Sequence, residues 1–215
     1  MNRHYSVTDR ITAIFDNALK TLTVKPVAER QAPRSHSAKE EKQELSEQEK
    51  KHVAGLMRVN HCGEVCAQAL YHGQALFARD PKIAEHMHQA SREESDHLNW
   101  CHTRLEELSS KPSIFNPFFY AASFSVGAVS ALAGDDWSLG FVAATEQQVL
   151  HHIDSHLEAL PANDELSHEI LKQMRIDEAK HAEQAIASGG RELPDWFQQG
   201  MSLVSKGMTK STYYC

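Results

Sequence analysis

Apolar side chains recur along this chain at intervals of three and four, the period of an α-helix packed on one face, and strand-like alternation is lacking. One stripe runs Ile83, Met87, Ala90, Glu94, His97, Cys101, Leu105, Leu108, and another Ile170, Met174, Glu178, His181, Ala185. Two more carry Met57, Glu64, Tyr71 and Ala75, and Val142, Glu146 and Val149. These stripes and their punctuation predict helices over 52–78, 81–108, 118–160 and 165–188, the third interrupted near Gly134-Asp135-Asp136. Ser46, with Gln48 and Glu49 in the following turn, offers a helix start, Asp80-Pro81 a second, and Gly189-Gly190 a stop. Residues 7–22 place Ile11, Phe15, Ala18 or Leu19, and Leu22 on one side of a short amphipathic helix. The expected fold is therefore all-α, a four-helix bundle over 52–190. The amphipathic helix of 1–22 precedes it, then a polar linker over 23–51 that is open to disorder, and a C-terminal segment, 191–215, follows.

Each bundle stripe is interrupted by acids where apolar residues belong, and burying a carboxylate is costly unless something neutralises it. Glu94 and His97 share a helix face at i, i+3, and Glu178 and His181 repeat the arrangement. A lone glutamate precedes each pair, Glu64 by 30 residues and Glu146 by 32, the separation of two helices joined by a loop. The chain thus reads as two similar hairpins, each giving Glu, Glu and His. Four carboxylates and two imidazoles converging in a bundle core form the donor set of ferritin-like dinuclear iron proteins. Four carboxylates cancel the charge of two Fe(II) ions, and neutral imidazoles leave positions open for O₂.

The net charge of −7, with no basic block or aromatic platform, excludes nucleic acid as a partner. The four cysteines, Cys62, Cys66, Cys101 and Cys215, have no Cys-x-x-Cys spacing, so a reducing compartment is expected and Cys62 and Cys66 read as small core residues. Residues 113–134 hold no charged side chain and match a membrane span by length. A single crossing there would put Glu64 and Glu94 on one side of a bilayer and Glu146 and Glu178 on the other, so the stretch reads instead as the buried start of the third helix, with an exposed apolar end. From Trp196 onward there are no acids, and Phe197, Met201, Val204 and Met208 form a stripe beside Lys206 and Lys210. That pattern suits a helix lying in a membrane interface, or one packed on the bundle.

Arg58-Val59-Asn60-His61-Cys62-Gly63-Glu64, Glu94-Ser95-Asp96-His97, Glu146 followed by His151-His152, and Glu178-Ala179-Lys180-His181 resemble the bacterial demethoxyubiquinone hydroxylases over the whole chain. Asn60-His61-Cys62 stands where many relatives carry Asp-His-Ala, and Ile153 where other branches have tyrosine. The resemblance implies O₂-dependent hydroxylation of a ring carbon of a polyprenyl demethoxy-benzoquinol, with an external reductant that is either NADH or the quinol itself. It implies that Glu64, Glu94 and His97 hold one iron and Glu146, Glu178 and His181 the other, with Glu94 and Glu178 as bridges. His152 is expected on the face of Glu146, either assisting from outside the ligand set or as a simple core histidine, and Asp96 and Asp177 either orient the imidazoles or face solvent. A bilayer-dissolved substrate further implies peripheral attachment to the cytoplasmic side of the bacterial inner membrane, and contact with other ubiquinone-biosynthesis proteins. A soluble ferroxidase would use the same six residues, whereas a metal-free helical scaffold leaves the buried acids unexplained.

Overall fold

The computed structural model describes residues 7–34 and 44–215, without the side chains of Val7, Arg10 and Ile11. Seven helices and no strand are found among them: α1 (Val7–Thr23), α2 (Glu47–Phe77), α3 (Pro81–Glu107), α4 (Asn116–Ala133), α5 (Asp135–Ala159), α6 (Glu165–Ala187) and α7 (Asp195–Tyr214). The helix starts follow local chemistry. Ser46 and Glu49 close a reciprocal capping box on α2. Asp80 caps α3 with Pro81 in its first turn, and Asp164 caps α6.

Helices α2, α3, α5 and α6 form the bundle as two antiparallel hairpins. Tyr71 meets Glu146 and Asn60 meets His156, so α5 runs antiparallel to α2. Arg104 meets Asp164 while His97 meets Asp177, so α6 runs antiparallel to α3. Helix α4 is the crossover between the hairpins and lies parallel to α2, with Asn116 beside His61 and Ser130 beside Gln74. This is the ferritin-like topology, a bundle with one long crossover. The two helices approach to backbone contact: a β-carbon on Gly127 would strike the Leu70 carbonyl, and one on Gly73 the Phe124 carbonyl.

The interruption expected in the third helix near Gly134-Asp135-Asp136 is a full break, which divides it into α4 and α5. Gly134, at φ 138°, makes the break in a conformation side chains disfavour. Asp135 then accepts the backbone N–H groups of Arg79 (3.0 Å) and Asp80 (2.9 Å), tying the break to the α2–α3 loop. The uncharged stretch is exposed along more of its length than the expected buried start with an exposed apolar end. Because α4 packs on α2 by one face, its other face leaves Phe118, Val126, Val129 and Leu132 exposed.

Residues 24–34 carry no regular secondary structure but are stitched to α3, although their composition alone predicts only a linker. Asn99 Nδ2 donates to the Pro26 carbonyl (2.5 Å), Trp100 Nε1 to the Arg30 carbonyl (3.2 Å), and Lys25 pairs with Glu106. Residues 35–43 of the predicted linker lie outside the described residues, and α2 begins at Glu47, inside its predicted end.

Helix α7 lies on the bundle through Phe197, which packs edge-on to Trp137 and Phe141, and through Met208 beside Cys66. At its far end the Tyr213 hydroxyl bonds His52 (2.6 Å) and its carbonyl accepts from Arg58 (2.6 Å). Of the stripe Phe197, Met201, Val204, Met208, only Val204 faces outward, 73% exposed, with Leu203 and Trp196. Two apolar layers fill the bundle interior. One gathers Val53, Met57, Leu105, Ile153 and Met174, and the other Tyr71, Met87, Phe141, Val142 and Ala185.

Candidate metal centre

Between those two layers the four bundle helices turn their interrupting polar residues inward. Glu64 comes from α2, Glu94 and His97 from α3, Glu146 from α5, and Glu178 and His181 from α6; none is more than 4% exposed. All six predicted residues are thus brought together. Donor atoms of Glu64, Glu94, His97 and Glu178 lie within 4.8 Å of one another, and so do those of Glu94, Glu146, Glu178 and His181. Glu94 and Glu178 belong to both groups.

The atoms are aimed as well as gathered. His97 Nδ1 lies 2.9 Å from Glu94 Oε2 and 3.1 Å from Glu178 Oε1. His181 Nδ1 lies 3.0 Å from Glu94 Oε1 and 3.4 Å from Glu178 Oε2. Each shared carboxylate therefore turns one oxygen toward each imidazole. Glu94 Oε1, Glu178 Oε2 and His181 Nδ1 are buried without a hydrogen-bond partner. Orphaned polar atoms in a dry core are costly, and three of them converging on one point fit a cation that each would ligate.

The outer nitrogens are held from outside. His97 Nε2 meets Asp177 Oδ2 at 3.1 Å, and His181 Nε2 meets Glu93 Oε2 at 2.8 Å. A carboxylate on Nε2 keeps its proton there and leaves the Nδ1 lone pair for a metal. Tyr71, from the apolar layer it shares with Met87 and Phe141, donates its hydroxyl to Glu146 Oε1 at 2.5 Å.

The electrostatics describe a site short of positive charge. Burial, then the charges of Glu94 and Glu178, push the Glu64 carboxyl well above its usual range; burial, Glu178 and Glu94 do the same to Glu146. Burial also opposes ionisation of Glu94, but the imidazoles of His181 and His97 prevail and hold it low. Against its own burial, His181 is pushed up to about 12 by Glu94 and Glu178, and His97 is raised by Glu94 and Asp177. Without metal the imidazoles are thus drawn toward their charged form, and Glu64 and Glu146 toward their neutral one; two dications would balance four ionised carboxylates.

A cavity of about 560 Å³ opens beside this centre, walled by Arg30, Arg92, Glu93, Asp177, Lys180 and His181 among others. His152 lies elsewhere. Six residues at about 100° each carry it roughly 120° around α5 from Glu146, so it does not share that face. Its Nε2 bonds Ser205 of α7 at 2.8 Å. Asp96 touches no ligand imidazole; it receives the backbone and side chain of Arg30.

The family described as Ubiquinone biosynthesis protein COQ7 matches residues 51–212, the span from the first bundle helix to the end of α7. This chain belongs to that family. A protein of Pseudomonas paraeruginosa named 3-demethoxyubiquinol 3-hydroxylase is 52% identical over 212 residues, covering 99% of this chain and 98% of the relative. Proteins of the same name from Pseudomonas putida and Stutzerimonas stutzeri are 52% and 54% identical over 211 residues, each alignment covering 98% of this chain and 97% of the relative.

Three residues at the centre escape the sequence reading. Tyr71 stands seven residues after Glu64 on the same stripe, and that spacing was the available signal. Glu93 looks like a solvated acid beside Glu94. Arg30 carries no signal in the sequence, being a lone arginine in a polar stretch.

Proposed function

We propose that this chain is an iron-dependent monooxygenase that hydroxylates a ring carbon of a polyprenyl demethoxy-benzoquinol in ubiquinone biosynthesis. The observation that carries the reading is the convergence of four buried carboxylates and two imidazole Nδ1 atoms, three of their donor atoms orphaned, in a chain whose relatives are named for that reaction. Two bound irons would supply activation of O₂ and transfer of electrons to it, one oxygen atom entering the quinol ring and the other leaving as water. The protein's residues do the rest. Glu64 and His97 would hold one metal and Glu146 and His181 the other, Glu94 and Glu178 would be shared between them, and the four carboxylates together would cancel the charge of two Fe(II) ions. Tyr71 fixes the free rotation of the Glu146 carboxylate, and the apolar layers above and below exclude bulk water from the reacting centre. The two electrons come from an external reductant, NADH or the quinol itself.

The same reading includes peripheral attachment to the cytoplasmic face of the inner membrane, where the substrate is dissolved. No helix among the described residues is long and apolar enough to cross a membrane. The uncharged outer face of α4 and the exposed Trp196, Leu203 and Val204 of α7 support an interfacial contact. These faces also favour the hydroxylase over a soluble ferroxidase with the same ligands, which has no use for them. The quinone profile of cells lacking this chain tests the proposal. Accumulation of the demethoxy precursor, reversed by the intact chain and not by a Glu178→Ala variant, is expected; an unchanged profile would refute it.

A further inference from the structure

The two outer nitrogens of the imidazole pair are anchored differently. His181 Nε2 relies on Glu93, a half-exposed acid in the cavity wall. His97 Nε2 relies on Asp177, buried, which is itself gripped by Arg30 from the 24–34 strap. Arg30 Nη1 donates to Asp177 Oδ2 at 2.8 Å, and Nε donates to Asp96 Oδ2 at 2.6 Å. Asp96 Oδ1 accepts the backbone N–H groups of Glu29 (2.7 Å) and Arg30 (3.2 Å), closing the strap onto α3. The guanidinium also lies over the Trp100 ring, 5.1 Å from its centroid, and Trp100 in turn packs against the His97 ring. One planar fork thus bridges α3 and α6 at the position where each presents an aspartate beside a ligand-bearing turn.

Resting on the iron reading above, we propose that Arg30 is a positioning residue of the metal centre: through Asp177 it fixes the orientation and tautomer of His97, so the strap must be docked for one of the two irons to bind tightly. The chemistry follows from the contacts. Asp177 between a guanidinium and an imidazole N–H keeps the proton on Nε2 and turns Nδ1 toward Glu94 and Glu178. Without Arg30, the Asp177 carboxylate loses its second anchor and can rotate away. Lysine cannot replace it, since a single ammonium does not span two aspartates in the plane of a guanidinium. Among the described residues the strap makes no contact with Glu146 or His181, so the effect is confined to the iron beside His97.

The test is anaerobic titration of metal-free full-length chain with Fe(II), together with the Mössbauer spectrum of the iron-57 form. In Arg30→Gln one of the two Fe(II) equivalents should bind roughly 10–100-fold more weakly, and one of the two quadrupole doublets should change. Arg30→Lys should behave the same way. Asp177→Ala removes the carboxylate that joins Arg30 to His97, leaving Arg30 on Asp96 with only its long approach to His97 Nε2 (3.5 Å), and should lose the same iron. Lys25→Ala removes one ion pair of the strap while Asn99, Trp100 and Asp96 still hold it docked, and should bind both as wild type does. Wild-type affinity and spectra in both Arg30→Gln and Asp177→Ala would overturn the proposal. An equal loss in Lys25→Ala would also overturn it, by making strap packing rather than the arginine responsible. Failure of the wild-type chain to take up two Fe(II) would instead refute the iron reading itself.

Discussion

Glu178 shows how one side chain can carry two jobs: its two oxygens lie 3.1 Å from His97 Nδ1 and 3.4 Å from His181 Nδ1. Replacing it with alanine removes a donor from both halves of the centre and one of the carboxylates that balance the metal charge. Glu178→Ala should therefore retain little of the about two irons per chain expected of such a centre, measured by metal analysis of the purified protein, while its helical content stays that of wild type. Glu94 and Glu178 were legible because they repeat with a histidine at i+3 on an otherwise apolar stripe, a pattern that has no solvated explanation. Arg30 and Glu93 were not, because their roles arise from contacts between segments far apart in sequence: Arg30 lies 147 residues from Asp177, and Glu93 lies 88 from His181.

Among the elements, the bundle helices were readable from period and caps, since each buries one face and α2, α3 and α6 start on side-chain caps of their own while α5 starts after the Gly134 break. What periodicity could not convey is how α4 and α7 are seated. Gly73 and Gly127 admit a backbone-to-backbone approach of α2 and α4 that leaves the second face of α4 bare, and no stripe of apolar residues announces that. A further consequence is the set of polar histidines trapped between packed helices. His156 of α5 sits against the Asn60 amide of α2 (3.0 Å) and is pushed down to about 4 by burial and by His152. Burial likewise lowers His61 to about 3 and His72 to about 4. These depressed values mean that the fold favours the neutral rings. Their contribution is intact above the unfolded value of about 6.5 and is lost as pH falls from there toward 4, because the unfolded chain then binds protons that the folded one refuses. Each such group gives a slope of about 1.4 kcal/mol per pH unit within that window. Denaturant unfolding of the iron-loaded protein at pH 7.0 and 5.0 should show the loss, and His156→Asn should flatten the dependence by about one proton's worth. An unchanged slope in that variant would show that His156 takes up its proton as readily in the folded state as in the unfolded.

For the whole molecule, the separation of faces matters most. The polar cavity with Arg92, Lys180 and Glu93 opens beside His181, whereas α4 presents Phe118, Val126, Val129 and Leu132 without a charge. Partial burial of such side chains contributes less than the roughly 1.5–3 kcal/mol of full burial, yet several together outweigh the roughly 1 kcal/mol that each tail lysine offers near an anionic surface. Attachment should accordingly resist salt and yield to detergent. Phe118→Asp with Val129→Asp should move the chain toward the soluble fraction in a vesicle-flotation assay, without loss of iron. Flotation equal to wild type would assign the contact to another surface, such as the outward Trp196, Leu203 and Val204 of α7. The sequence pattern pointed to membrane-seeking segments but credited the tail with Phe197, Met201 and Met208, which the bundle takes for its own packing. The proposed reaction is itself measurable. Iron-loaded protein, given a reductant, a demethoxy-benzoquinol and oxygen-18 gas, should yield hydroxylated quinol carrying one labelled oxygen, and Glu178→Ala should yield none. Unlabelled product, or oxidised iron with the quinol ring unchanged, would contradict it.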